Sequence, residues 1–481
     1  MKEKVSAGVM TLVMAFALST TMSAGGGSSS TVLVTNSNDD GPGSFRRAIA
    51  AASADSKVAR IQFLGIVSTI RLQQTIEFTG PQDLTIIGNG AALDGARAAG
   101  PAFLATGGAS LTVSGLDVRN AQAEGIAVEV PATATGTIRL ALFNVAIVNN
   151  LSHGVLVNDQ EDPSTQEEVQ PNPNGSAASV DVSVFNCRFV HNGYSVSDRD
   201  GLRVNEGGDG DLTITVKFTE AENNGADGIE IDERGAGDVR VEMFGTRLTG
   251  NGPFDPNDLD DGFDIDEYDD GSIIATVALS AANDNREEGF DFNENNNGDL
   301  RVTMQLVEAN RNGEEGIDLE EDDDFGNSGD LVAVMTGIAT VGNGNGADGA
   351  LKIREKETGN LDVTLKNIFS ADNFGSGIFV RESSGGSSVV RIERALMSGN
   401  KLSLLDGVLA GGHGIELLES GAGDMTASVS NANSAGNDGF GVFGDETGAG
   451  AGTVTLTDVT FFGAANSRGE TGGTATFVIQ P

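Results

Sequence analysis

The chain has 481 residues, 67 of them glycine, with no tryptophan, one cysteine and a formal net charge of −41. That charge excludes the Lys/Arg patches by which proteins hold nucleic acid or anionic membranes, and favours cations, basic partners or simple solubility. Hydrophobic residues make up 38% and aromatic residues 5%, which suits many short strands better than a large helical core; with 10 prolines the chain is not of the proline-rich disordered class.

Residues 1–24 read as a secretory signal. Lys2 and Lys4 form its positive end, residues 9–18 its apolar run, and Met22-Ser23-Ala24 offers a small residue before a cut. The expectation is a secreted, periplasmic or cell-surface protein. No other segment is long and apolar enough to span a membrane, so none is expected once the signal is removed. Residues 25–30 (GGGSSS) read as a flexible lead-in.

Residues 31–110 are expected to form an N-terminal cap and the first coils of a repeat. Val32-Leu33-Val34 is a strand, 38–43 a turn, and Ser44 caps a short helix beginning at Phe45. Strands follow near 59–64, 69–72 and 84–88. The run Gly41-Pro42-Gly43-Ser44-Phe45-Arg46-Arg47-Ala48-Ile49, with Ile61-Gln62-Phe63, Thr69-Ile70-Arg71-Leu72 and Leu84-Thr85-Ile86-Ile87-Gly88-Asn89-Gly90-Ala91, resembles the N-terminal entry of right-handed parallel β-helix proteins. It is similar to the opening of pectate lyases and of many exported β-helix repeat proteins, including bacterial surface proteins. The resemblance covers about 60 residues. It implies the fold and a helix capping the first coil, and implies no activity.

From Ile138 onward a strand-opening residue stands twelve before an asparagine: Ile138/Asn150, Val180/Asn192, Leu212/Asn224, Val239/Asn251, Ile273/Asn285, Leu300/Asn312, Leu331/Asn343, Leu361/Asn373 and Met425/Asn437. Near Asn400 the register is expected to slip, because Ser388 stands where an apolar residue belongs. A glycine follows each asparagine, in a column that includes Gly228, Gly262, Gly289, Gly316, Gly349, Gly414 and Gly439; the shortest complete repeats are 27 residues. Longer spacings mark insertions at 160–176, 194–199, 253–258, 322–327 and 401–411. Repeats of short strands without an amphipathic helix bury a core only by stacking. The fold class expected is therefore all-β: a right-handed parallel β-helix of roughly a dozen coils, its repeats filling 111–481. The asparagines should bond from turn to turn and satisfy buried backbone groups. Cys187 falls in a packing column and is expected to be buried, with no disulfide.

The strongest chemical signal is acidic. Asp227-Gly228-Ile229-Glu230-Ile231-Asp232-Glu233 recurs at Asp261, Glu288 and Glu315. The first and third residues after the glycine are apolar and point inward, so the second and fourth face outward. The fifth is acidic in Asp159, Glu206, Glu233, Glu267, Glu294, Glu321, Glu382 and Glu419, and Glu355 comes one residue late. Stacked carboxylates repel unless solvated, protonated or bridged by cations; closely spaced oxygens of variable geometry suit Ca²⁺. The candidate metal ligands are Glu230, Asp232, Asp264, Asp266, Asp291, Glu294, Asp318 and Glu320, the competing account being a solvated acidic face. No EF-hand or nonapeptide calcium loop accompanies them. Lys352, Arg354, Arg381 and Arg391 are expected to form cross-coil ion pairs, and His153, His191 and His413 to be solvated turn residues.

No catalytic residue stands out. The lyases of this fold need an Arg base beside Ca²⁺-binding acids, and no Arg-x-Pro-x-x-Arg-like segment is present; Gly412-His413-Gly414 and Asp260-Asp261, which match fragments of a glycosidase site, lie about 150 residues apart. The expected function is an exported, non-catalytic acidic β-helix that binds divalent cations and through them a polysaccharide or cell-surface partner, in adhesion. The alternatives are a polysaccharide lyase or glycoside hydrolase on the acidic face, and a structural spacer.

Overall fold

A computed structural model describes residues 29–159, 175–195, 198–255, 259–268, 270–322, 329–344, 348–405, 408–461 and 466–480. The expected signal, most of the lead-in and most of the insertion at 160–176 lie outside these residues.

One repeat shows how the pattern becomes a coil. In Leu212–Lys217, Leu212, Ile214 and Val216 point into the core, and the threonines between them point out. Phe218 then takes a left-handed conformation (φ 53°) and bends the chain into Glu220–Glu222. A turn through Asn224 and Gly228 leads to Ile229–Glu233, whose Ile229 and Ile231 meet the first strand from the opposite side. The next coil repeats this in parallel register, Leu212 opposite Val239 and Ile229 opposite Phe263. Summed over the described residues, this gives one sheet of 24 strands and a second of 14, a right-handed parallel β-helix of slightly more than the expected dozen coils. One apolar cluster runs from Val34 to Ala475. Each buried Ile or Leu contributes about 1.5–3 kcal/mol, which no single coil could accumulate alone.

The helix Phe45–Ala54 closes the first coil. Ser44 Oγ accepts the Arg47 N–H (3.3 Å), and Phe45, Ala48, Ile49 and Ala52 are buried, Phe45 lying 4.9 Å from Phe63. Among the described residues no helix is long and apolar enough to cross a membrane.

The asparagine column forms a buried ladder. Asn224 Nδ2 donates to Asn251 Oδ1 (3.0 Å), Asn251 to Asn285 (3.0 Å) and Asn285 to Asn312 (3.1 Å), while each Oδ1 also accepts the preceding rung's backbone N–H. Gly228 sits where a Cβ would come within 2.5 Å of Gly262 O and 2.8 Å of Asn251 Nδ2, so the close approach of the ladder excludes a side chain there.

Three readings of the register are corrected. No slip occurs at Asn400: Ser388 pairs with Leu361 in register, and its hydroxyl, buried at an apolar position, donates to Glu419 Oε2 (3.0 Å). Asn400 bonds to Asn437, and Asn466 adds a rung. Ala350, not Gly349, aligns with Gly316, which explains why Glu355 looked late. Gly441, not Gly439, aligns with Gly414, which places Glu446 in the column of fifth residues. The insertion at 401–411 forms an antiparallel hairpin, Leu402–Leu405 with Val408–Gly411. Cys187 is buried and forms no disulfide.

Candidate cation-binding face

The strands Leu202–Glu206, Ile229–Glu233, Phe263–Glu267, Ile317–Glu321 and Leu351–Glu355 carry the acidic face. Its carboxylates are buried toward both ends, whereas Asp264, Asp266 and Asp291 in the middle are half-buried, so the solvated face of the competing account holds only in part. Asp232 is 1% exposed and Asp318 4%. The insertions near 194 and 254 meet through Tyr194 and Phe254, whose rings are 6.1 Å apart.

The residue before each glycine builds the floor of the face. Its side chain accepts a backbone N–H from the next coil: Asp200 Oδ1 from Asp227 (3.0 Å), Asp227 from Asp261, Asp261 Oδ1 from Glu288 (2.5 Å), and Glu315 Oε1 from Asp348 (3.0 Å). Both expectations for the histidines of this column are corrected for the same reason. His153 Nδ1 accepts the Asp200 N–H (3.0 Å) and His413 Nδ1 that of Phe440 (2.9 Å), and both rings are buried. His191 is exposed, as expected.

Together the columns make a stack of carboxylate groups. Oxygens of Asp227, Glu230 and Asp264 lie within 4.8 Å of one another, as do those of Asp261, Asp264 and Asp291, and those of Glu288, Glu315 and Asp318. Each group is one chemically complete start of an oxygen-ligand cation site, repeated along the axis.

Side-chain cations occupy the two ends of this stack. Arg203, fully buried, donates to Asp198 Oδ1 (2.5 Å), Glu230 Oε2 (2.5 Å) and Asp232 Oδ2 (2.6 Å). Lys352 Nζ lies 2.6 Å from Asp318 Oδ2 and also pairs with Glu320, which Arg354 and Lys356 approach at 2.7 Å each. Between these ends, no Lys, Arg or His bonds to Asp227, Asp261, Asp264, Glu288 or Asp291 among the described residues. Asp264 Oδ1, Asp291 Oδ1 and Asp318 Oδ1 are buried and accept no hydrogen bond.

The protonation chemistry follows the cations. Burial raises the Glu320 carboxyl, yet Lys352, Arg354 and Lys356 outweigh it and bring it down to about 2. In the middle of the stack no basic side chain opposes burial. Burial, and after it the charges of Asp266 and Asp291, hold Asp264 well above the usual carboxylate range; Asp291 is held up by burial and Asp318. Two such charges 5 Å apart repel by about 3 kcal/mol at an effective dielectric of 20.

Of the sequence-predicted ligands, Glu230, Asp264, Asp291 and Asp318 fall in these groups. Asp232 and Glu320 are engaged by Arg203, Arg234 and the lysines. Asp266 stands beside Tyr268 and Asn293, with burial pushing it up to about 7. Glu294 belongs to another column, on the inner side of the turn. Asp227, Asp261, Glu288, Glu315 and Arg203 were missed as participants; their signal was their fixed place beside the glycine. Lys352, Arg354 and Arg391 form the expected cross-coil pairs, whereas Arg381 stacks in register on Arg354 and forms no ion pair among the described residues.

The second column is that of the fifth residues, from Asp159 through Glu206, Glu233 and Glu294 to Glu419 and Glu446, in register across successive coils. In most coils one oxygen of the glutamate closes the following turn: Glu206 Oε2 accepts the Gly208 N–H (3.0 Å), Glu294 Oε1 that of Gly298 (2.9 Å), Glu382 Oε1 that of Gly386 (2.9 Å).

No family model matches the chain, and no curated protein matches it. Among solved structures it is similar to the catalytic domain of Agl-KA, with a TM-score of 0.32 and 12% identity over 91% of this chain and 65% of that one. It is also similar to the catalytic domain of a GH87 α-1,3-glucanase in complex with nigerose, with a TM-score of 0.24 and 11% identity over 93% of this chain and 68% of that one. This likeness transfers nothing of their activity.

Proposed function

We propose that this protein is an exported acidic β-helix that binds divalent cations, Ca²⁺ fitting best, along the stack from Asp227 to Asp318, and through them holds an anionic polysaccharide or a cell-surface partner. The observation that carries this is the arrangement of charge along one column. Where the chain supplies Arg203 or Lys352, the carboxylates are paired. In the coils between, the same columns repeat without a basic side chain, and buried oxygens of Asp264 and Asp291 lack any donor. A soluble cation answers that demand. Hard divalent ions take six to eight oxygens in flexible geometry, and partly occupied sites on an open face leave coordination positions for a ligand's own carboxylates. The proposed ligands are Glu230, Asp264, Asp291 and Asp318 with Asp227, Asp261, Glu288 and Glu315.

Thermal unfolding in EGTA, in millimolar Ca²⁺ and in Na⁺ of equal ionic strength tests this. A Ca²⁺-specific rise supports cation sites; equal responses to both salts reduce the face to screened charge and remove the proposal. A second reading, a polysaccharide lyase or glycoside hydrolase on the same face, draws on Lys352 and Arg354 lying beside Asp318 and Glu320. Cleavage of uronate or glucan polymers, followed by new reducing ends and by unsaturated products, decides it.

A further inference from the structure

The second carboxyl column takes no part in the cation face. Its glutamates are buried: Glu206, Glu233, Glu294, Glu321 and Glu382 are each 0% exposed. Adjacent coils place them directly over one another, Glu206 on Glu233 and Glu382 on Glu419, at the roughly 4.8 Å spacing of paired strands. One oxygen of each is held by the backbone N–H of the next turn. The other, Oε1 of Glu206 and Oε2 of Glu233, Glu294, Glu321 and Glu382, is buried and receives no N–H or hydroxyl donor.

We propose that this column is a row of proton-binding sites, in which neighbouring glutamates share protons along the axis of the helix, acid donating to carboxylate.

The groups that face the column allow no other neutralisation. Above and below each rung stands another carboxyl, ending in Asp159, which accepts from Ser176, and in Glu446. From the first sheet, Ser388 alone among the described residues adds a hydroxyl, to Glu419. Of the basic residues nearest in sequence, Arg234, Arg354 and Lys356 turn to the other face, where they pair with Asp232, Glu320 and Asp322, and Arg381 stands in register with Arg354, its charge acting on Glu416 of that face. No ion pair reaches Glu206, Glu233, Glu294, Glu321 or Glu382 among the described residues. A metal fits poorly, since the groups of three or more ligand atoms all lie on the cation face, and a rung offers one free oxygen to each neighbour. A proton fits well. It turns two buried charges in repulsion into one charge-assisted O–H···O⁻ bond. Burial first, then Glu233, pushes Glu206 up to about 10, and burial followed by Glu419 pushes Glu382 up to about 8.

Raised folded values mean that the stability contributed is fully present below the ordinary glutamate value and is lost as pH rises through the folded ones. For Glu382 the window runs from 4.5 to about 8. Within it the folding equilibrium constant falls about tenfold per pH unit for each proton held.

Glu206→Gln and Glu382→Gln test this outside the cation face, in saturating Ca²⁺, by urea unfolding from pH 5 to 8. Each is expected to weaken the pH dependence by up to that tenfold per unit, while exposed Glu242→Gln leaves it unchanged. An unaltered dependence in both column variants overturns the proposal. Should the variants fail to fold, infrared spectra of the wild-type chain in D₂O at neutral pH and saturating Ca²⁺ decide it. A carboxylic-acid band worth several groups per chain supports shared protons, and a band worth one group or none overturns them.

Discussion

Arg203 heads the largest fully buried side chains among the described residues, and its guanidinium is ringed by Asp198, Asp200, Glu230 and Asp232. Burial opposes its charge, but Glu230 and Asp232 outweigh that cost and hold its pKa above the ordinary value. Arg203→Met removes the charge and leaves four carboxylates facing one another, so a loss of about 3–5 kcal/mol is expected in urea unfolding without added metal. Millimolar Ca²⁺ should return part of it, since Asp198, Asp200 and Glu230 are grouped closely enough to hold an ion. At the other end His413 is stacked on Phe443 at 4.7 Å, and burial pushes its pKa down to about 4. A depressed value in the folded state means stability that is present above the ordinary histidine range and is lost as pH falls through about 4. NMR titration should find this ring neutral at pH 5, and a midpoint near 6.5 would contradict its burial.

At the scale of the element, the corner between the two strands of the first sheet is strained in four coils among the described residues. Phe218, Leu279, Leu306 and Arg394 occupy left-handed conformations at φ 53°, 52°, 54° and 59°, where asparagine, aspartate or glycine stands in other coils. Leu279 is 52% exposed, so little packing is lost with its side chain. Leu279→Asn is expected to raise the unfolding midpoint, by about 1 kcal/mol of relieved strain. The asparagine ladder is the opposite case. Asn285→Ala strips two donors of Asn251 and one acceptor from their partners, all buried, and should cost about 3 kcal/mol in the same measurement. Ser388 shows how an element tolerates a polar residue at a core position: its hydroxyl finds Glu419 inside the wall.

For the whole molecule, the solenoid keeps each column continuous, so charge accumulates along the axis instead of cancelling within a globule. Asp264→Asn with Asp291→Asn removes two members of the middle groups. Thermal unfolding in EGTA should rise, because repulsion and the need for protonation both fall. The Ca²⁺-specific gain of the wild type should shrink or vanish in the same variant. A gain that survives would move the sites elsewhere.

The repeat, the strand alternation, the asparagine ladder and the glycine that admits it were legible in the residues themselves. They depend on local periodicity and on neighbours one coil away, and a one-dimensional stack preserves both. The acidic columns were legible as columns for the same reason. Their burial was not. Alternation says which way a side chain points, but not how deeply it is buried, as Asp232 is beside Arg203 and Arg234 and Asp318 beside Lys352. Nor could it show which carboxylates meet a cation, because Arg203 reaches Glu230 from 27 residues away and Lys352 reaches Asp318 from 34. Single-residue offsets at Ala350 and Gly441 escaped as well, since an insertion hides register until strands are paired. Composition and period thus determined the fold and the placing of charge, while only the stacked coils decided which charges are buried, which are paired and which are left without a basic partner.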